Sequence, residues 1–273
     1  MCFSRVGLPL MVMLLVASPA LAAEPLDAAR QAFAQGDFRR AATLAHEMGA
    51  AEGEALAARA ELAEGDFVAQ GEASHEDFRQ AVKSARAAIL LDPRNVEGHL
   101  YLALALGFLG RIEGSVAAHF SGYAEEARQH IDKALELAPT DPWANALLGG
   151  WNLEIVNDGG VFGEVLYGAS RDKGIAAYNY ALALDPGNAA IAYQYALQLV
   201  AMGGAWPRAE AYQVLKTSIR TDPMDAFQRL AWRRAERMML ALESHDDRAL
   251  QAIMKDQMSP LAAPAATTGK SSR

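Results

Sequence analysis

The side chains able to do chemistry are few and scattered. Six histidines stand at His46, His75, His99, His119, His130 and His245, and no two have the i, i+2 or i, i+4 spacing of a metal site. His119 and His130 can be brought together at a repeat junction, but ordinary surface or half-buried histidines are the expectation. Ser115, Ser121 and Ser170 lack the strained strand-to-helix turn that arms a nucleophilic serine. Asn157-Asp158-Gly159-Gly160 has the composition of a cation-loop fragment, but not the spaced carboxylates and closing Glu of a calcium loop. No glycine-rich phosphate cradle opens a helix. The expectation is a protein without catalytic residues, metal or cofactor. The acidic balance, −8 at neutral pH, argues against a nucleic-acid partner, which requires clustered Lys and Arg.

Met1 to Ala22 read as a signal peptide. Arg5 gives a positive start, Leu8 to Val16 an apolar run too short to span a bilayer, and Ala20-Leu21-Ala22 a small-x-small cleavage site. Cleavage would remove Cys2, the one cysteine, together with Arg5, leaving a thiol-free chain one charge more acidic and without disulfides. The expected product is secreted across the inner membrane into the periplasm, with no stable membrane insertion after cleavage. Ser259 to Arg273 is rich in Ala, Pro, Ser and Thr and reads as a disordered tail, which leaves residues 23–258 as one domain.

That domain is organised by a recurring corner. Leu91-Asp92-Pro93-Arg94-Asn95 separates two stretches with helical apolar spacing, and the same joint returns around Pro139, Pro186 and Pro223. Proline disfavours helical geometry in the residue before it, and the Asn or Asp two residues on can cap the next helix. Small residues recur at fixed places beside the corners: Ala81 and Ala88, Ala127 and Ala134, Gly174 and Ala181. On these residues the chain resembles the tetratricopeptide repeat (TPR) family, with its 34-residue helical hairpin. The stretch from Asn95 to Ile155, SGYAEEARQHIDKALELAPTDPWANALLGGWNLEI above all, is similar to the TPR-like regulators of microtubule dynamics and their bacterial relatives. A microtubule role does not carry over to an exported chain. The resemblance implies an all-α, TPR-type helical-hairpin solenoid (an α-α superhelix). A C-terminal capping helix begins at Ala226, with Arg229, Arg233, Arg234 and Arg237 on a solvated face, and a last short helix lies within 245–258.

Three consecutive repeats carry about a dozen extra residues between their helices. The extra segments, about 66–80, 110–126 and 157–173, should thicken one edge of the solenoid. The first follows a second copy of the Gly36-Asp37-Phe38 turn, at Gly65-Asp66-Phe67. The second can continue as helix. The third has too much glycine for that and reads as a loop around an apolar turn with Val161, Phe162, Val165, Leu166 and Tyr167, expected to pack on the protein itself.

Placed on the TPR concave face, the chain gives an unusually apolar stripe. The candidate partner groove comprises Leu100, Leu104, Trp143, Leu153, Tyr193, Leu197 and Phe227, with Arg234 and Arg237 facing an acidic end of the ligand. Phe162, Leu166 and Tyr167 form the candidate edge. Two occupants fit: a peptide of another envelope protein, making the chain an exported non-catalytic scaffold, or a small apolar ligand held for a transporter or sensor. The stripe could also pair two copies, or be covered by the chain's own last helix or inserted segments.

Overall fold

The computed structural model describes residues 20–114 and 121–258, which contain helices and, among the described residues, no strand. In chain order the helices are α1 (Ala20–Gln35), α2 (Phe38–His46), α3 (Ala51–Phe67), α4 (Glu72–Leu91), α5 (Val96–Glu113) and α6 (Tyr123–Leu137). They continue with α7 (Pro142–Tyr167), α8 (Arg171–Leu184), α9 (Ala189–Met202), α10 (Ala205–Ser218), α11 (Ala226–Glu243) and α12 (Asp247–Met258). Successive helices pack as antiparallel hairpins, the arrangement expected of a TPR solenoid. The apolar run of the leader, Ser115, His119 and the tail from Ser259 lie outside the described residues.

The capping chemistry of the four corners is as the sequence predicts. Asn95 accepts the Gly98 N–H at 2.7 Å, Asp141 that of Ala144 at 2.8 Å, Asn188 that of Ile191 at 3.1 Å and Asp225 that of Gln228 at 2.7 Å. Each cap satisfies an N–H that the first helical turn leaves without a partner. The hairpin contacts depend on missing side-chain volume. A Cβ on Gly149 would lie 2.6 Å from the Tyr178 ring, and one on Gly174 would lie 2.7 Å from Leu153.

The three inserted segments differ from expectation in instructive ways. Gly65-Asp66-Phe67 does not turn: α3 runs through it, because Gly65 is there to admit the Phe78 ring, 2.8 Å from where its Cβ would be. The connection falls instead at residues 68–71, so the first insertion is extra length in α3 and α4. The second does not simply extend α5, since Gly114 and Gly122 both take positive φ and stop the flanking helices. The expected helical stretch at 115–120 lies outside the described residues. The third is not a loop. α7 continues to Tyr167 across a single break at Gly160, whose φ of 53° and ψ of −144° suit glycine alone.

The last repeat returns to the first. Phe227 of α11 lies with its ring 5.8 Å from Phe33 of α1, 5.5 Å from Phe67 of α3 and 6.5 Å from Trp143 of α7. Arg234 donates to the Asp66 carboxylate at 2.8 Å and to the Asp66 carbonyl, with its guanidinium 4.0 Å above the Phe67 ring. Arg229, Arg233 and Arg237 do face solvent, whereas Arg234 is this half-buried tie. Removing it leaves Asp66 without its cation, so Arg234→Ala should cost about 3 kcal/mol in chemical denaturation. Arg237→Ala, on the exposed side, should cost under about 0.5 kcal/mol.

Among the described residues, His130 meets His99. Pro93 O can only accept, so His99 Nε2 donates to it at 3.1 Å, leaving Nδ1 to accept from His130 Nδ1 at 2.8 Å. Burial, and then the charge on His99, push the His130 pKa down; Glu126 opposes this and Arg86, paired to Glu126, adds to it. A histidine lowered in the fold stabilises the native state at pH above its unfolded value of about 6.5 and stops doing so as pH falls through the folded value. Between pH 7.5 and 5.5 the native protein should therefore lose more stability than His130→Gln, whose amide can still donate to His99. Parallel pH profiles for the two would refute this coupling.

Candidate functional site

The apolar stripe is closed in the structure. Leu100, Leu153, Tyr193 and Leu197 are 5%, 0%, 2% and 0% exposed and belong to the packed core, so they are not an open groove. Leu100 sits with Ala134 and Ala144 between α5, α6 and α7, and the other three pack with α8, α10 and α11. Phe227 and Arg234 make the end-to-end contact, while Arg237 is exposed. Burial, with Arg234 and Asp66 opposing each other, pushes the Tyr193 hydroxyl up to about 12.

What remains of the stripe, Leu104 and Trp143, meets Phe162, Leu166 and Tyr167 of the inserted edge around one cavity of about 420 Å³. Its walls come from α5 through Leu104, Gly107 and Phe108, from α6 through Tyr123 and Ala127, from both parts of α7, and from Tyr178, Ile191 and Gln194. Trp151 forms one wall, fixed there by its indole N–H donating to Ala124 O at 2.8 Å and by the Tyr167 ring set edge-on at 6.4 Å. That volume falls within the roughly 300–1,000 Å³ of small-molecule sites.

The part of α7 beyond Gly160 is the roof. It folds back closely: a Cβ on Gly163 would lie 2.7 Å from the Ile155 carbonyl oxygen. Phe162 and Leu166 line the cavity, yet Val161, Phe162, Val165 and Leu166 also stay exposed, at 76%, 73%, 80% and 48%. The expected self-packing of this turn holds on one side only: it covers the cavity there and leaves its other side bare. Asn157, the start of the glycine-rich run, points inward and donates to the carbonyl and side-chain oxygens of Gln198 at 3.1 and 3.0 Å, stitching α7 to α9.

One end of the cavity is polar. Arg111 Nε and Nη2 donate to the two oxygens of Glu154 at 2.9 and 3.0 Å. Burial works against the Arg111 charge, but Glu154 outweighs it and holds the guanidinium ionised beyond its usual range. Asp158, one turn along α7, has no such partner; partial burial at the mouth and then the Glu154 charge push its carboxyl up. Burial likewise pushes up the Tyr178 hydroxyl, which faces Gly150 at the cavity wall.

Other titratable groups are engaged elsewhere. Glu61 holds His46 Nε2 at 3.1 Å and Ser84 Oγ at 2.7 Å, and His46 Nδ1 meets Glu54 at 3.0 Å. Burial pushes the Glu61 carboxyl up. Glu64 takes Arg39 at 2.8 Å, and neither carboxylate lines the cavity. Among the described residues no three His, Asp or Glu side chains converge as a metal-ligand set.

Comparison with known proteins agrees with this architecture. The model of the family described as regulator of microtubule dynamics protein 1-3 matches residues 26–160. Regulator of microtubule dynamics protein 3 of Rattus norvegicus is 34% identical over 73 residues, 27% of this chain and 15% of its own length. The protein of the same name from Mus musculus matches with the same identity and coverage. The chain thus spans about 15% of the length of these relatives. The crystal structure of a thermophilic TPR protein from Thermus thermophilus superposes with a TM-score of 0.56 at 22% identity, over 79% of this chain and 98% of that one. The chain is a TPR-like protein related to the regulators of microtubule dynamics. The fold by itself does not decide what the chain does; that must come from the site. Among the described residues, no helix of this TPR-like chain is long and apolar enough to cross a membrane.

The Arg111–Glu154 pair should matter more as a pair than as a source of stability. Glu154→Leu leaves a largely buried cation and should cost about 3 kcal/mol, while Arg111→Met with Glu154→Leu should regain most of that loss. Denaturation of the two single variants and the double variant closes the cycle.

Proposed function

We propose that this TPR-like chain is a non-catalytic binding protein whose cavity takes a small ligand with a largely apolar body. The observation that carries this is the cavity itself: about 420 Å³, walled by aromatic and aliphatic side chains from five helices and roofed by the segment after Gly160. An apolar space of this size is costly to leave to water and gains free energy for each apolar group it takes in, about 25 cal/mol per Å² buried. The chemistry fits the small-ligand module more directly than a peptide scaffold, since the stripe that would have held a peptide is packed shut. The scaffold reading, with another envelope protein as partner, keeps support from the exposed roof residues Val161, Phe162 and Val165. The leader-like stretch Met1–Ala22 supports export to the periplasm as the setting for either.

Gly107 supplies the test. It lines the cavity from within α5, and a Cβ there would meet nothing within 4 Å. Gly107→Ala should stabilise the fold by about 1 kcal/mol through helix propensity. Gly107→Leu should put its side chain into the space without breaking a contact. N-phenyl-1-naphthylamine, a neutral apolar fluorophore, should bind the full chain saturably with enhanced emission, and Gly107→Leu should weaken it at least tenfold with an unchanged circular dichroism spectrum. Absent binding, or equal binding by Gly107→Leu, would overturn the proposal.

A further inference from the structure

The polar end of the cavity is specific enough to say which ligand head it takes; this inference rests on the ligand-binding reading above. Three observations bear on it. Arg111 is the cation of that end, and its charge is matched by the two-point bond to Glu154. Asp158 stands on the same face of α7 one turn later, at the cavity mouth, and makes no ion pair, so the end carries one carboxylate more than it has cations. The Tyr178 hydroxyl opens on the same cavity beside Gly150, about two turns of α7 before Asp158 and nearer the Arg111–Glu154 pair, so Asp158 is the group left for a ligand head at the mouth.

We propose that the cavity selects an amphiphile bearing a protonated amine, with its apolar body among Phe108, Trp151 and Leu166 and its ammonium at the Asp158 carboxylate. An ammonium has three N–H donors and no acceptor, which suits a carboxylate that makes no ion pair. A carboxylate head does not suit Asp158. It would meet Asp158 and Glu154 as like charges, and to reach Arg111 it would have to break a two-point bond already made. An alcohol head falls between the two, able to donate to Asp158 but bringing no charge. Asp158 is thus the specificity-determining residue, and the walls supply the affinity common to all three heads.

The test uses three ligands with one chain: dodecylamine, dodecanol and dodecanoate, each below its micellar concentration, at pH 7 and low ionic strength. Each displaces N-phenyl-1-naphthylamine from the full protein, and direct calorimetric titration checks the same dissociation constants. Dodecylamine should bind about tenfold tighter than dodecanol and still more tightly than dodecanoate. Asp158→Asn, nearly isosteric and at an exposed position, should bring the amine to within about twofold of the alcohol while leaving the fluorophore, which lacks a charged head, unchanged. If the fluorophore binds but the three heads are equal, or dodecanoate is favoured, or the order survives in Asp158→Asn, the head-group assignment is wrong and the cavity reading stands. If neither the fluorophore nor any of the three amphiphiles binds, both are wrong.

Discussion

The hairpins on either side of the site depend on one constraint, that their helices come closer than two full side chains allow. Where α7 crosses α8, Gly149 yields to the Tyr178 ring and Gly174 to Leu153, each pair leaving no room for a Cβ. Where α3 crosses α4, Gly65 yields to Phe78 in the same way. The large partner is buried by the small one's absence, so the contact is made of shape rather than of any single strong bond. The tyrosine that Gly149 and Gly150 admit has two uses. Its ring stacks on Tyr195 at 4.6 Å, and its hydroxyl reaches the cavity. Close packing therefore positions the site as well as holding the hairpins.

The cavity exists because α7 is longer than its repeat requires. A helix ending near Asn157 would leave Trp151 and Phe108 on an open surface. The break at Gly160 redirects the chain over them, and Gly163 lets the redirected part lie flat against Ile155. The roof is then held by few interior contacts, since the outward sides of Val161, Phe162 and Val165 touch solvent. It is the least anchored wall of the site.

What the sequence shows and hides follows from range. The corners were legible because a cap is decided within a few residues, and Asn95, Asp141, Asn188 and Asp225 act as their spacing implies. The apolar stripe was legible as a set but not as a use. Nothing near Phe227 says that it will reach Phe33 and Phe67, and only that closure decides between a groove and a core. The glycine run at 157–160 was misread because glycine marks a loop by frequency, whereas here one unusual φ serves a bend between two helical pieces. The His99–His130 pair joins residues 31 apart, on helices whose packing fixes the distance. The cavity had one faint signal, Gly107 and Gly150 on helix faces where the repeat prefers bulk, too weak to separate from ordinary close packing.

The tie between Arg234 and Asp66 spans 168 residues of chain. An open solenoid is nearly one-dimensional: each repeat answers only to its neighbours, and the ends melt first. Here the two ends hold each other. Losing the terminal repeat also uncovers Phe33 and Phe67 of the initial helices, so fraying is no longer the easy route to the unfolded state. The chain is driven toward opening as a single cooperative unit, and its formation must wait for a contact of very long sequence separation, which slows folding relative to a helical repeat of the same length.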